Sequence, residues 1–211
     1  MNSRETILKK LRTQKRSAPD LPIWTTKREF TDLSERFTQS LTAVKGQVHH
    51  AASWAEALET VDQLLTELGA EKVAINDETP LDSVDFAETR PDISCFTAGK
   101  STGSLRDFCT TADVGLSSCE VALAETGTVV VASGTGKSRL VTLLPPVHIA
   151  LVPTSKLTTD ILTWTAARNA PPPANISFIS GPSKTADIEQ TLAVGVHGPK
   201  QFIVILYDDQ S

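Results

Sequence analysis

Short runs of aliphatic and β-branched residues, apolar at consecutive rather than alternate positions, recur along the last two-thirds of this chain. They fall at Lys72 to Ile75, Asp113 to Leu116, Thr128 to Ala132, Val147 to Val152, Ile176 to Ile179 and Phe202 to Leu206. A strand apolar on both faces must be covered on both faces, as in parallel sheets flanked by helices. The intervening segments supply those helices. Ser53 and Glu56 form a capping box ahead of the periodic run Trp54, Ala57, Leu58, Val61, Leu64, Leu65, Leu68, which stops at Gly69. Further helices are expected within Ser101 to Thr110, from Lys156 to Arg168 before the breaker Pro171-Pro172-Pro173, and from Thr185 to Val194. The fold class is therefore α/β, a mostly parallel sheet flanked by helices. A Gly-rich turn around Gly134, followed by an apolar run from Leu140 to Leu144, predicts one antiparallel strand pair within it.

The N-terminal quarter has a different texture. Ile7, Leu8 and Leu11 share one face of a basic amphipathic helix; Pro19 and Pro22 then impose an extended stretch anchored by Trp24. Helical spacing resumes at Phe30, Leu33 and Phe37. The division expected is an N-terminal helix and arm at 1–50 and an α/β domain at 51–211. Residues 1–16 carry six bases against one acid, whereas Glu56 to Asp92 carries eleven acids against two bases. The arm either docks on an acidic face, of its own body or of a second copy in a homo-oligomer, or is simply a solvated basic helix.

Composition removes several function classes. A formal charge of -5 does not suit a nucleic-acid binder. Cys95, Cys109 and Cys119 include no C-x-x-C pair and fall short of the four thiolates an iron–sulfur cluster usually needs, so no cofactor is expected in this chain. They fit a reducing, cytoplasmic setting. The start, MNSRETILKKLRTQKRS, lacks the apolar stretch of a secretory signal, and no apolar run is long enough to insert in a membrane.

Gly134-Thr135-Gly136-Lys137-Ser138 ends like a phosphate-binding P-loop, but the position that should hold its first glycine is Val131, and the residues after it read as a strand. A hairpin turn with a basic tip is expected instead. Glu125-Thr126-Gly127-Thr128 sets a carboxylate and a glycine turn before a strongly apolar strand; it is either an anion-holding turn or a solvated one. Ser183, Lys184, Thr185 and Asp187 lie between a strand and an expected helix. There they either cap the helix or, with its free N–H groups, bind a small anion. His197 and Gly198 follow in a tight Gly-Pro turn, and His148 reads as a core histidine. Glu125, the 126–128 turn, Ser183, Lys184, Thr185, Asp187, His197 and Gly198 are expected to face one pocket.

Ala-Glu-Thr-Gly-Thr at 124–128, Pro-Pro-Val-His-Ile at 145–149 and the stretch from Ile179 to Pro199 together resemble the LUD-domain family, of the lactate-utilization protein C type. The resemblance runs from about residue 50 to the end. It implies a fold similar to ribose-phosphate isomerases and class I CoA-transferases. It also implies a part in oxidising L-lactate to pyruvate, as the cluster-free component beside iron–sulfur partner proteins. The alternative is a stand-alone small-molecule enzyme or ligand-binding protein; by analogy with CoA-transferases, Glu125 would be its nucleophile. Whether the chain is itself an enzyme stays open at this point.

Overall fold

The computed structural model describes residues 3–13, 26–169, 171–186, 192–194 and 197–210. In chain order the elements are α1 (Ser3–Thr13), α2 (Leu33–Ala43), β1 (Gln47–Ala51), α3 (Trp54–Glu67), β2 (Lys72–Ile75), α4 (Phe86–Thr89), β3 (Ser94–Thr97), α5 (Leu105–Cys109), β4 (Val114–Ser117), β5 (Val121–Leu123), β6 (Thr128–Ala132), α6 (Arg139–Leu143), β7 (Val147–Pro153), β8 (Leu157–Thr158), α7 (Ile161–Ala167), β9 (Ile176–Ile179), β10 (Lys184–Ala186), β11 (Leu192–Val194) and β12 (Gln201–Tyr207).

Six strands form a wholly parallel sheet in the order β1-β12-β7-β4-β2-β3. Alternate residues divide its interior. Val73, Ile75, Val114, Leu116, Ile149, Leu151, Ile203 and Ile205 face α3, whose Ala57, Val61, Leu64 and Leu65 are buried against them. The other face carries Ala150, Val152, Phe202, Val204 and Leu206, and they meet Phe37 and Leu41 of α2 together with Ala122, Ala124, Val129 and Val131. Ala124 follows β5 directly, and Ala122, Val129 and Val131 belong to a second sheet, β8-β5-β6-β9, in which β6 runs antiparallel to both β5 and β9. Its outer face is closed by Trp164 of α7 against Val121, Leu123 and Val130. With both sides covered, every residue of β6 is buried, which its unbroken Thr-Val-Val-Val-Ala run demands.

Several expectations are corrected. The antiparallel element lies in the second sheet, not around Gly134. Arg139 to Leu143 is helical: the Ser138 hydroxyl caps it, accepting from Leu140 N–H at 3.2 Å, and Val141 is buried with Ala74 and Cys109. The helix expected from Lys156 is confined to Ile161–Ala167, where Asp160 is the N-cap. The helix expected over Thr185 to Val194 is replaced, at the described positions, by β10 and β11, paired Lys184 to Val194 and Ala186 to Leu192. The arm also ends earlier than residue 50. Phe37 and Leu41 are fully buried in α2, and β1 forms one edge of the main sheet, so the body includes residues 33–51. Trp24 and Asp187 lie outside the described residues.

Candidate functional site

In the main sheet the chain passes from β2 outward to β3 and then returns past β2 to β4. The carboxyl ends of β2 and β4 therefore flank a topological switch point, where open α/β sheets leave a crevice for ligands. A cavity of about 420 Å³ occupies this place, walled by Asp77, Glu78, Thr79 and Asp82 after β2, Cys119 and Glu120 after β4, Ala132 of β6, and Lys137 and Lys156. A second cavity of about 530 Å³ shares Thr79 and Lys156 and extends to the carboxyl ends of β1, β7 and β12. Its walls include Trp54 and Tyr207, with ring centroids 5.3 Å apart, and Ser155, whose backbone and hydroxyl donate to Asp209 at 3.0 and 2.5 Å.

Glu78 ties the two strand ends together: its Oε1 accepts from Ser118 N–H at 2.9 Å. Burial pushes the Glu78 carboxyl up from its ordinary value. The Ser118 N–H, Lys137, Asn76 and Lys156 oppose that rise without cancelling it. A carboxyl brought nearer neutrality among lysines is a group suited to holding or moving a proton. Lys156 donates to the Cys119 carbonyl at 2.5 Å, fixing its amine at the junction of the cavities.

The loop that carries Lys137 is pinned by backbone. Gly134 and Lys137 exchange N–H···O bonds of 3.0 Å; Asp77 N–H donates to the Gly136 carbonyl at 2.9 Å; and Ser138 N–H donates to the side-chain oxygen of buried Asn76 at 2.9 Å. Gly136 has φ +71°, and a Cβ there would lie 3.0 Å from both Cβ and O of Asp77. At this basic tip the expected hairpin is reduced to a tight turn closed by the Gly134–Lys137 bridge, which leads into α6 rather than a second strand, and the turn is a wall of the crevice. The missing P-loop glycine at Val131 keeps its force as an argument, whereas the strand expected after it does not.

The sequence-expected site residues sit elsewhere. Glu125 is ion-paired with Arg28, its carbonyl accepts from Arg36 and from the Ser40 hydroxyl, and its N–H donates to the Thr159 carbonyl. Gly127, at φ +62°, lets the turn press on α2: a Cβ would fall 2.3 Å from Leu41 N. Thr126, Thr128 and Ser180 form a chain of hydroxyl contacts at 2.6 and 2.7 Å. Lys184 donates to the Val44 carbonyl at 2.5 Å, at the end of α2. Ser183 N–H donates to the Pro199 carbonyl at 2.9 Å and packs beside Gly198, while His197 is exposed. Lys184 and Thr185 lie in β10, so among the described residues no helix begins at Ser183, Lys184 or Thr185. The Glu125 turn and Lys184 thus bear on α2 about one to two helical turns apart.

Sequence reasoning passed over Asn76, Asp77, Glu78, Ser118 and Lys156. The available signal was a polar triplet, Asn76-Asp77-Glu78, directly after a buried strand. Among the described residues no group of three or more His, Cys, Asp or Glu side chains is placed to hold a metal ion, and no helix is long and apolar enough to cross a membrane. Burial pushes the Cys95 and Cys109 thiols up to about 11 and Cys119 up to about 12, away from the thiolate form that ligation requires.

Known proteins resemble this chain at two levels. Lactate utilization protein C of Shouchella clausii is 38% identical over 163 residues, which is 72% of this chain and 70% of that protein. The proteins of the same name from Halalkalibacterium halodurans and Bacillus subtilis are 47% and 43% identical over 105 residues, a match spanning under half of their lengths, 46% and 44%. A crystal structure of a DUF162 family protein from Deinococcus radiodurans superposes with a TM-score of 0.59 at 19% identity, covering 83% of this chain and 96% of that one. That likeness shows the fold. The LUD domain model matches residues 34–207, which begins inside α2 and ends with β12. The chain belongs to the LUD domain family.

Proposed function

We propose that this chain is a component of an L-lactate utilization system that holds no iron–sulfur cluster itself and works in the cytoplasm with iron–sulfur proteins that oxidise L-lactate to pyruvate. The observation that carries this reading is the 38% identity, over 72% of the chain, to a protein named for lactate utilization. The high thiol pKa values support the cluster-free part, and three free cysteines suit a reducing compartment. The crevice at the carboxyl edge is the ligand site in this reading, because it combines a cavity, a carboxyl nearer neutrality and two lysines at the switch point. The Glu125 turn serves as the anchor of α2, since its carboxylate is engaged by Arg28 and its backbone by Ser40 and Arg36.

Partner docking falls to surface charge. α1 has no fully buried residue, with Ile7 57% and Leu11 60% accessible, and it is basic; the 56–92 segment is acidic. The test is affinity capture from lactate-grown cells, with the full chain and with residues 1–16 removed, across a salt series. Iron–sulfur proteins are expected with the full chain and should fall away as salt screens exposed charges over about 8 Å. Capture of none under any condition would transfer the assignment to a stand-alone enzyme.

A further inference from the structure

Resting on the lactate reading, we propose that the switch-point crevice binds a small monocarboxylate bearing a 2-hydroxy or 2-oxo group, its carboxylate between Lys137 and Lys156 and its 2-oxygen against Glu78. The charges of the cavity wall point this way. Asp77 is paired with Lys100 at 2.7 Å and Glu120 with Arg168 at 3.1 Å, while Asp82 is exposed at the rim and accepts from the Thr79 hydroxyl at 2.9 Å. Among the described residues Lys137 and Lys156, both half-buried, have no carboxylate within ion-pair distance. Half-buried cations want compensation, and an anionic ligand supplies it. Lys156 spends one of its three N–H donors on Cys119 and keeps two.

The same loop argues against a phosphate. The N–H groups of Gly134, Lys137 and Ser138 are already spent on Lys137, Gly134 and Asn76. That leaves at most the N–H groups of Thr135 and Gly136, short of the continuous backbone cradle of a P-loop, so recognition falls chiefly to side chains. The Ser118 hydroxyl, fully buried behind Glu78, does not line the cavity, so the 2-oxygen is left to Glu78. Glu78 sets the pH behaviour: protonated, it donates to the 2-oxygen, and ionised, it repels the carboxylate. The groups facing it are Lys137, Lys156, Cys119 and Glu120 from other elements and Asp77 and Asp82 from its own side of the crevice.

The test is titration of the full chain with L-lactate and with pyruvate, followed by amide NMR shifts, with acetate and inorganic phosphate as comparators. Lactate and pyruvate are expected to bind, and acetate and phosphate about tenfold more weakly, the loss expected for one charge-assisted hydrogen bond. Lys137→Met and Lys156→Met, which keep the aliphatic stems, should each weaken lactate about tenfold, and Lys→Arg should restore it in part. Wild-type binding should tighten as pH falls, and Glu78→Gln should bind with no such dependence. Phosphate binding as tightly as lactate, or methionine variants that bind unchanged, would overturn the assignment. The broader reading has a separate readout. If a deletion strain fails on lactate and is rescued by Lys137→Met, the crevice assignment falls and the lactate reading stands. If the deletion strain grows normally, the lactate reading falls, while the titration still decides the site.

Discussion

His148 offers a stability prediction whose size follows from its surroundings. It lies in β7 with no exposed surface, stacked on Phe202 at 5.1 Å, and its Nε2 is 2.8 Å from the Ser117 hydroxyl. Burial drives its pKa down to about 3 from the ordinary 6.5. The ring is thus neutral in the fold and protonates readily only in the unfolded chain. Between those two values the unfolded state binds the extra proton, so stability present above the unfolded pKa is lost as pH falls through the window. At 1.36 kcal/mol for each pKa unit, this one group removes about 2 kcal/mol between pH 7 and pH 5. The measurement is urea unfolding at both pH values for wild type and for His148→Gln, which keeps a hydrogen-bonding side chain and cannot titrate. Carboxylates affect both proteins alike, so wild type should lose about 2 kcal/mol more than the variant. Equal losses would mean that the imidazole is protonated within the fold or reaches water, and the argument from burial would be wrong.

Gly127→Ala should be destabilised by at least about 2 kcal/mol in the same assay, from left-handed backbone and a clash with the Leu41 amide that backbone cannot relieve; a neutral result would show that the turn can lift off α2. Glu125→Gln breaks an ion pair whose arginine side chain is 58% exposed, so it should cost no more than about 1 kcal/mol. Glu125→Gln and Lys184→Ala should both support growth on lactate. Folded variants that fail there would return the Glu125 turn to the functional site.

The interior strands β2, β4, β7 and β12 of the main sheet were legible because they are short, mostly apolar runs buried on both faces. Phe202 to Leu206 sits second from the edge with both faces covered, and no other placement would hide it. The α3 cap was legible for a local reason: Ser53 and Glu56 complete their bonds within one turn, Ser53 accepting from Glu56 N–H and Glu56 accepting from Ala52 N–H. β1 was missed because Gln47-Val48-His49-His50-Ala51 is an edge strand with only Ala51 buried, so it lacks an apolar run. Leu140 to Leu144 misled because a one-and-a-half-turn helix with Val141 buried has the composition of a strand. Ser183 to Glu189 carries helix-start chemistry, but pairing of Lys184 with Val194 prevailed at the described positions. The crevice was invisible for a different reason. Asn76, Ser118, Lys137 and Lys156 are far apart in sequence, and only the reversal of strand order after β3 brings them together.

The 134–138 turn is held through its own backbone and the side chain of Asn76, and none of those bonds uses the side chain of residue 137. Backbone shape and chemical identity are therefore uncoupled at that position. Replacing Lys137 with a neutral, acidic or bulky residue changes what the crevice attracts while leaving the loop path, and the fold that supports it, in place. Divergence of ligand preference among proteins built this way needs only point changes at such tips, with no insertion and no remodelling of the sheet. A set of substitutions at residue 137 alone is accordingly the shortest route to a redesigned specificity on this scaffold.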